Sequence, residues 1–399
     1  MPLTNLHDSD VVIASAARTP MAGFQGVFST LSATDLGAAS IRAAVSRAGL
    51  AAGDVEEVLM GNVLSAGLGQ APARQAALGA GLAEGTPCTT VSKVCGSGMK
   101  AVMLAYDQVK AGSCSLAVAG GMESMSNAPY LLSKAREGMR LGHGEIKDHM
   151  FLDGLEDAYS GGAMGSFAQG TADEKHIPRE AMDAYALESL KRANRAIDAG
   201  YFREEIDPVT VKARRGEVRI DDDEQPGKAR PEKIPQLKPA FAREGTITAA
   251  NSSSISDGAA AMVITSAAEA RELGLSPLAK ISGHANHAKQ PGEFTTAPIG
   301  SIRKLLMKLG WSTDIVDLYE INEAFAMVTM MAIEELGLDH GKVNVNGGAC
   351  ALGHPIGASG ARILVTLLYA LKRLRKTRGV ASLCIGGGEA TSIAVEMLE

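Results

Sequence analysis

Cysteine is scarce in this chain. Five are present, at positions 88, 95, 114, 350 and 384 of 399, and none forms a C-x-x-C pair, so the spacing of a cysteine metal centre is missing. The odd count speaks for reduced thiols and against a disulfide scaffold. The segment Met1 to Asp10 holds two aspartates and no arginine, which reads neither as a secretory signal nor as a transit peptide; a cytoplasmic location is expected. No apolar run reaches the roughly 20 residues of a membrane helix, so no membrane partner is expected. Positive charge is not in excess either: the net charge of −6 argues against nucleic acid as the main partner. An anionic ligand would need a local basic patch. Aromatic residues make up only 4% of the chain.

What the chain has in quantity is small and apolar: 46% of residues are hydrophobic and 45 are glycine, a composition that lets helices and sheets pack closely. Its length allows a large core and two or three domains. It also repeats itself. Ser40-Ile41-Arg42 followed by Gly49 returns as Ser301-Ile302-Arg303 followed by Gly310. Asp54 and Asn62 return as Asp314 and Asn322, Ser97-Gly98 as Ser359-Gly360, and Gly120-Gly121 with Glu123 as Gly386-Gly387 with Glu389. The offsets all lie between 260 and 266 residues and keep one order, which marks a duplicated half.

Each half reads alike. An extended apolar run opens it (Val11 to Ala16; Leu278 to Ser282). A helix follows (35–48; 299–309), then a short strand (56–60; 316–320) that ends at Asn62 or Asn322. The next helix has Met99, Val102, Met103, Tyr106 and Val109 at helical spacing, with Gly112 as its stop. Its counterpart, Ile363 to Leu371, is apolar nearly all round and reads as buried. Strands Leu116 to Ala119 and Val380 to Ile385 then close at glycine runs. The last strand, Thr391 to Met397, matches Ala259 to Thr265. Residues 125–254 therefore interrupt the first half as a polar insertion with one strong helix, 179–199, and a charged stretch from Arg214 to Lys238. Alternating strands and helices imply mixed α/β layers. The boundaries expected are 1–124 plus 255–275 for one half, 125–254 for the insertion, and 276–399 for the other half.

Two cysteines stand where chemistry is expected. Cys95, in Val94-Cys95-Gly96-Ser97-Gly98, comes just before a helix. There the positive end of the dipole favours thiolate, so a thiol made ready to ionise is expected. His354 precedes the matching helix of the second half, five residues before Ser359, as a candidate base. Asn322 ends a strand and doubles as an N-cap candidate. Cys384 runs into Gly386-Gly387-Gly388, where backbone N–H groups can approach a ligand unobstructed. If the halves are related by a pseudo-two-fold axis, these groups line one cleft. Cys88 and Cys114 read as packing residues, and Cys350 stays between packing and site. The glycine runs do not spell a dinucleotide fingerprint.

These residues resemble the thiolase family. Val94-Cys95-Gly96-Ser97-Gly98-Met99-Lys100-Ala101 is similar to its nucleophile loop. Asn322-Glu323-Ala324-Phe325, Gly353-His354-Pro355-Ile356-Gly357 and Cys384-Ile385-Gly386-Gly387-Gly388 are similar to three further blocks. The resemblance implies an α/β thiolase fold: two similar βαβαβαββ halves packed as a layered αβαβα core, with an inserted loop domain. It implies acetyl-CoA C-acetyltransferase activity through an acetyl-Cys95 intermediate, with His354 as base for the thiol and Cys384 as base for the α-carbon. Two oxyanion sites are implied, one from His354 and a water held by Asn322, the other from the N–H groups of Cys95 and Gly386. Ser253 is implied against the pantetheine arm, and Met164, Phe241, Ala324 and Phe325 around the acyl group. Lys228, Arg230 and Lys233 are candidates for the nucleotide phosphates, or else a solvated charged loop. The implied ligands are acetyl-CoA, acetoacetyl-CoA and CoA, with no separate cofactor and no metal. The stretch Met125 to Met150 corresponds to a loop that pairs dimers into a homotetramer.

The sequence departs from the pattern in places. Ala163 stands where many biosynthetic members have His, Glu293 to Pro298 replaces a Met-Gly-x-Gly-Pro run, and Glu389 replaces Gln, Met or Gly. A degradative 3-ketoacyl-CoA thiolase of broader chain length therefore stays open. Against a ketoacyl-synthase type stands Cys384, and against a non-catalytic acyl-CoA binder stand Cys95, Asn322, His354 and Cys384 together.

Overall fold

The computed structural model describes residues 3–213 and 216–398; Met1 and Arg214, which open two of the segments read above, lie outside the described residues. In the first half the core strands are β1 (Val11–Arg18), β2 (Glu57–Gly61), β3 (Cys88–Val91), β4 (Leu116–Ser124) and β5 (Ser256–Ser266). In the second they are β6 (Ala279–Ala288), β7 (Leu318–Ile321), β8 (Arg378–Ile385) and β9 (Glu389–Met397). They share one sheet in the order β7-β8-β9-β6-β1-β5-β4-β2-β3. The order is the duplication made visible. β1, β5, β4 and β2 follow one another outward on one side of the junction; β6, β9, β8 and β7 do so on the other. β2 pairs β3 in parallel, and the counterpart of that pairing is a single parallel bridge from Tyr319 to Val343. The halves join where Val12 pairs Lys280 and Ile13 pairs Ala279.

The principal helices are α1 (Ala33–Ala48), α2 (Pro72–Gly79), α3 (Ser97–Ala111), α4 (Met164–Glu174), α5 (Arg179–Asp198), α6 (Ala297–Leu309), α7 (Ala326–Leu336) and α8 (Ile356–Leu374). Gly112, with φ 73°, ends α3 in the left-handed conformation read from the sequence. α1 and α2 cover one face of the first half-sheet, and α6 and α7 the outer face of the second. α3 and α8 lie between the half-sheets, packed against strands of both. The layers are therefore αβαβα. Position explains composition: 15 of the 19 residues of α8 are buried, because it has sheet on two sides and a helix on a third. Each fully buried Ile or Leu there stabilises by about 1.5–3 kcal/mol relative to exposure.

Two readings need correction. The strand beginning at Leu116 does not close at Gly120-Gly121 but runs through them to Ser124. These glycines mark close approach rather than a turn: a Cβ on Gly121 would lie 2.1 Å from the Gly357 carbonyl oxygen on α8. The insertion holds a second substantial helix, α4, besides α5. The insertion is also tied to the core by charge. Arg18, at the end of β1, donates from Nε to Glu205 at 2.6 Å and from both terminal nitrogens to Asp223 at 2.7 and 2.9 Å. All three side chains are fully buried or nearly so, so removing one partner would leave an uncompensated buried charge.

Candidate active site

The site forms where the N-termini of α3 and α8 meet, and glycine makes the meeting possible. A Cβ on Gly61 would lie 2.4 Å from the Gly98 nitrogen, and one on Gly98 would lie 2.9 Å from the Gly357 oxygen. With no side chains between them, the two backbones touch, and the residues just ahead of each helix, Cys95 and His354, are brought to one cavity.

That cavity measures about 370 Å³ and is lined by Cys95, His354, Cys384 and Gly386, with an apolar wall that includes Met164, Phe241, Phe294 and Phe325. Phe325 stands edge-on to Phe241, ring centroids 6.2 Å apart, and tilted against Phe294 at 6.3 Å. Ala163, Ser253 and Ala324 also line the cavity. Ser253 donates from its backbone N–H (2.9 Å) and its hydroxyl (3.0 Å) to the Ala324 carbonyl, which fixes the insertion against the second half. Phe294 lies in the segment Glu293 to Pro298 singled out in the sequence, so that segment reaches the cavity wall.

Cys95 differs from expectation. It stands two residues ahead of α3, with Gly96 as the cap, and its thiol is not activated at rest. Burial pushes it up to about 11, against the N–H groups of Gly386 and of Cys95 itself, which favour the thiolate. A helix terminus contributes about 0.3–1 kcal/mol at an exposed site, too little to offset loss of solvent. Those two N–H groups, one from each half, converge on the sulfur. Such a pair is the donor set that stabilises an oxyanion. Cys384 is buried on β8, and its thiol is raised strongly, first by burial and then by the nearby Cys95 sulfur. Two thiolates there would repel each other.

His354 is held in place. Its Nδ1 lies 2.5 Å from the Ser359 hydroxyl oxygen, one helical turn along α8. Ser359 also donates to the Pro355 carbonyl at 2.9 Å. A serine that spends its one proton on that carbonyl accepts the Nδ1–H, which leaves Nε2 as a lone-pair acceptor. Nε2 has no hydrogen-bond partner among the described residues. Burial, helped by the Arg362 guanidinium, pushes the imidazole down to about 3, so it is neutral. Ser359 entered the sequence reading only as a repeat marker; its support of His354 appears once the chain is wound into a helix.

Asn322 does not line the cavity as expected. It is buried behind His354, its Nδ2 3.5 Å from Nδ1 and its Oδ1 without a partner. Its neighbour Glu323, given no role above, accepts from Tyr185 (3.1 Å), Ser189 (2.7 Å), Asn344 (2.9 Å) and the Cys350 N–H (3.1 Å). That network joins α5 to the segment before His354; Cys350 takes part through its backbone N–H and is absent from the cavity that holds Cys95. Lys228, Arg230 and Lys233 line a separate cavity of about 350 Å³ that shares Ala249 and Ser254 with the first; Lys228 is ion-paired with Glu224. Among the described residues no cluster of three or more His, Cys, Asp or Glu is arranged to hold a metal, and no helix is long and apolar enough to cross a membrane.

Comparison with known proteins agrees with this geometry. The family model described as "Thiolase, N-terminal domain" matches residues 11–268, and "Thiolase, C-terminal domain" matches residues 275–397. The chain belongs to the thiolase family. This thiolase is 50% identical over 397 residues to acetyl-CoA acetyltransferase 2 of Arabidopsis thaliana, covering 99% of this chain and 98% of that protein. It is 48% identical to acetyl-CoA acetyltransferase of Schizosaccharomyces pombe, covering 98% and 99%. Among solved structures, the Acat5 thiolase from Ascaris suum in complex with coenzyme A superposes with a TM-score of 0.93 at 43% identity, covering 98% of this thiolase and all of that chain.

Proposed function

We propose that this thiolase is an acetyl-CoA C-acetyltransferase, catalysing the reversible Claisen condensation of two acetyl-CoA to acetoacetyl-CoA and CoA. The observation that carries the reading is one cavity holding two thiols, a neutral imidazole and two convergent backbone N–H groups. The relatives named acetyl-CoA acetyltransferase support it.

The resting state has Cys95, Cys384 and His354 all uncharged, and the proton steps follow from that. As the Cys95 sulfur attacks the acetyl carbon, its proton moves to His354 Nε2, and the oxyanion is met by the N–H groups of Cys95 and Gly386. The departing CoA thiolate takes the proton of Cys384. Once acetylated, Cys95 can carry no negative charge, so a Cys384 thiolate, paired with imidazolium, becomes tolerable. A second acetyl-CoA then gives its α-proton to Cys384. Its enolate oxygen is stabilised by His354 and by a water on Asn322, and its carbon attacks the acetyl-Cys95 carbonyl. The leaving Cys95 recovers its proton from His354, and all three groups return to their starting forms.

In this reading Met164, Phe241, Ala324 and Phe325 surround the acyl group, and the aromatic wall favours a short chain. Ser253 meets the pantetheine arm, while Lys228, Arg230 and Lys233, in the adjoining cavity, meet the phosphates. Residues 1–124 with 255–275 and residues 276–399 act as the two catalytic halves around the insertion 125–254. Within the insertion, the antiparallel pair Tyr130–Leu132 and Ile146–Asp148, with the charged loop between them, exposes Tyr130 (69%), Leu141 (90%) and Ile146 (69%); exposed apolar side chains on such a hairpin fit the contact of a homotetramer built as a dimer of dimers. Catalysis needs both thiols reduced, which fits the cytoplasm.

Mixing the protein with acetyl-CoA and recording the intact mass tests the reading. An acetyl group mapped to Cys95 is expected; no adduct, or an adduct confined to another residue, would reject it.

A further inference from the structure

The two N–H groups that converge on the Cys95 sulfur come from two separate segments, each braced internally: the elbow by the Gly96 and Ser97 N–H bonds to the Lys93 and Val94 carbonyls, the turn by the Lys289 N–H on the Gly388 carbonyl at 2.8 Å. One is the elbow before α3, where Val94 has φ 44°, a left-handed conformation that a β-branched residue rarely adopts. The other is the turn Gly386-Gly387-Gly388 between β8 and β9, in which Gly387 and Gly388 have φ near 87°. Three consecutive glycines have no side chains to wedge against a neighbour. Gly386 has only Val94 and Met164 near where its Cβ would lie, at 3.5 and 3.6 Å, and Gly387 has nothing within 4 Å. Apolar contact is made at Gly96, which Ile385 covers. Donors to an oxyanion act only within tenths of an ångström of the right spacing.

One ion pair spans the gap. Lys93 Nζ pairs with Glu389 Oε2. Lys93 lies two residues before Cys95, and Glu389 three residues after Gly386. Neither lines the cavity. Lys93 is itself fixed, its N–H donating to Ser97 Oγ at 2.8 Å, while Ser97 donates to the Val94 carbonyl at 2.6 Å. Among the described residues it is the one ion pair between elbow and turn. Glu389 is also a position at which this chain departs from the family pattern. We propose that Lys93 and Glu389 form a latch that sets the spacing of the Cys95 and Gly386 N–H groups, as positioning residues rather than groups that touch substrate.

The pair is partly exposed, with side-chain accessibilities of 22% and 38%, so it adds little to stability. Its effect falls instead on the transition state, where small misplacements of a donor are costly. The proposal rests on the acetyl-transfer reading above. The test compares the wild type with K93M, E389A, the double variant K93M/E389A and the reversed pair K93E/E389K. It measures single-turnover acetylation of Cys95, kcat, KM for acetyl-CoA and the melting temperature.

Each single variant is expected to lose about tenfold in acetylation rate and kcat, with KM within about twofold and the melting temperature within about 2 °C. The double variant is expected to be no worse than either single, and the reversed pair to recover most of the loss. Single variants acetylated as fast as wild type, losses that multiply in the double variant, or no recovery on reversal would overturn the latch while leaving the acetyl-transfer reading intact. A wild type that is not acetylated would overturn both.

Discussion

Asn62 and Asn322 occupy matching places in the two halves, each directly after a short parallel strand, and they have diverged. In the first half Asn62 is committed to structure. Its Nδ2 donates to Glu123 at 2.8 Å and to the Met122 carbonyl at 3.2 Å. Glu123 in turn accepts from the N–H groups of Val63 (3.1 Å), Leu64 (3.2 Å) and, across the halves, Gly357 (2.9 Å). Burial pushes that carboxyl up to about 7 despite the three N–H donors. In the second half no carboxylate takes the amide of Asn322. It faces His354 instead and keeps a free oxygen. Duplication supplied two equivalent positions beside two helix N-termini. One braces a buried carboxyl, and the other faces the cavity's imidazole.

The largest expected effect separates the two cysteines, one from each half. Cys384→Ala is expected to lower condensation and thiolysis by about 10³-fold, as for loss of a general base, while acetyl-CoA still acetylates Cys95. Loss of the acetyl adduct in that variant would show that the two thiols do not divide the labour. Next comes the asparagine pair. Asn322→Ala is expected to cost about 10²-fold in kcat with little change in unfolding midpoint. Asn62→Ala is expected to keep kcat within about threefold and to lose about 1–3 kcal/mol of stability, because Glu123 is left short of a donor. Equal catalytic losses from both, read by steady-state kinetics and denaturant unfolding, would erase the distinction. The smallest effect is in pH dependence. Cys95 titrates near 11, so its alkylation by iodoacetamide, which requires thiolate, is expected to rise about tenfold per unit from about pH 7 to about pH 10. Burial beside the Arg362 guanidinium pushes His354 down to about 3, so it is an unprotonated base across the neutral range. Acetylation of Cys95 is therefore expected to show no break near the ordinary histidine pKa of about 6.5, and a break there would mean a charged imidazole at rest.

The chemical residues were legible in the sequence because chemistry demands particular side chains in short local patterns. Cys95 with its glycines, His354 before Pro355 and Cys384 before three glycines all line the cavity. The repeat was legible because short motifs of the two halves, such as Ser97-Gly98 and Ser359-Gly360, still recur in one order at nearly one offset. What could not be read depends on contacts between distant segments. Gly120-Gly121 looked like the end of a strand, since nothing local announces that β5 will press its backbone against Gly120 and α8 its backbone against Gly121. Cys95 looked activated because the helix terminus is visible in the sequence, whereas the burial that outweighs it comes from segments distant in the chain, among them Leu64, Met125, Met150 and Ile356. Lys93 and Glu389 lie 296 residues apart, and neither position hints at the other.

The place where Gly61, Gly98, Gly121 and Gly357 meet has a consequence for how this enzyme can vary. Main chain rests on main chain there, so the span from sulfur to imidazole is set by the radii of backbone atoms and not by any adjustable side chain. A methyl group added at the crossing would act as a shim between the two domains. It would loosen their docking and spread the reacting groups in a single stroke, so at this spot folding and turnover stand or fall together.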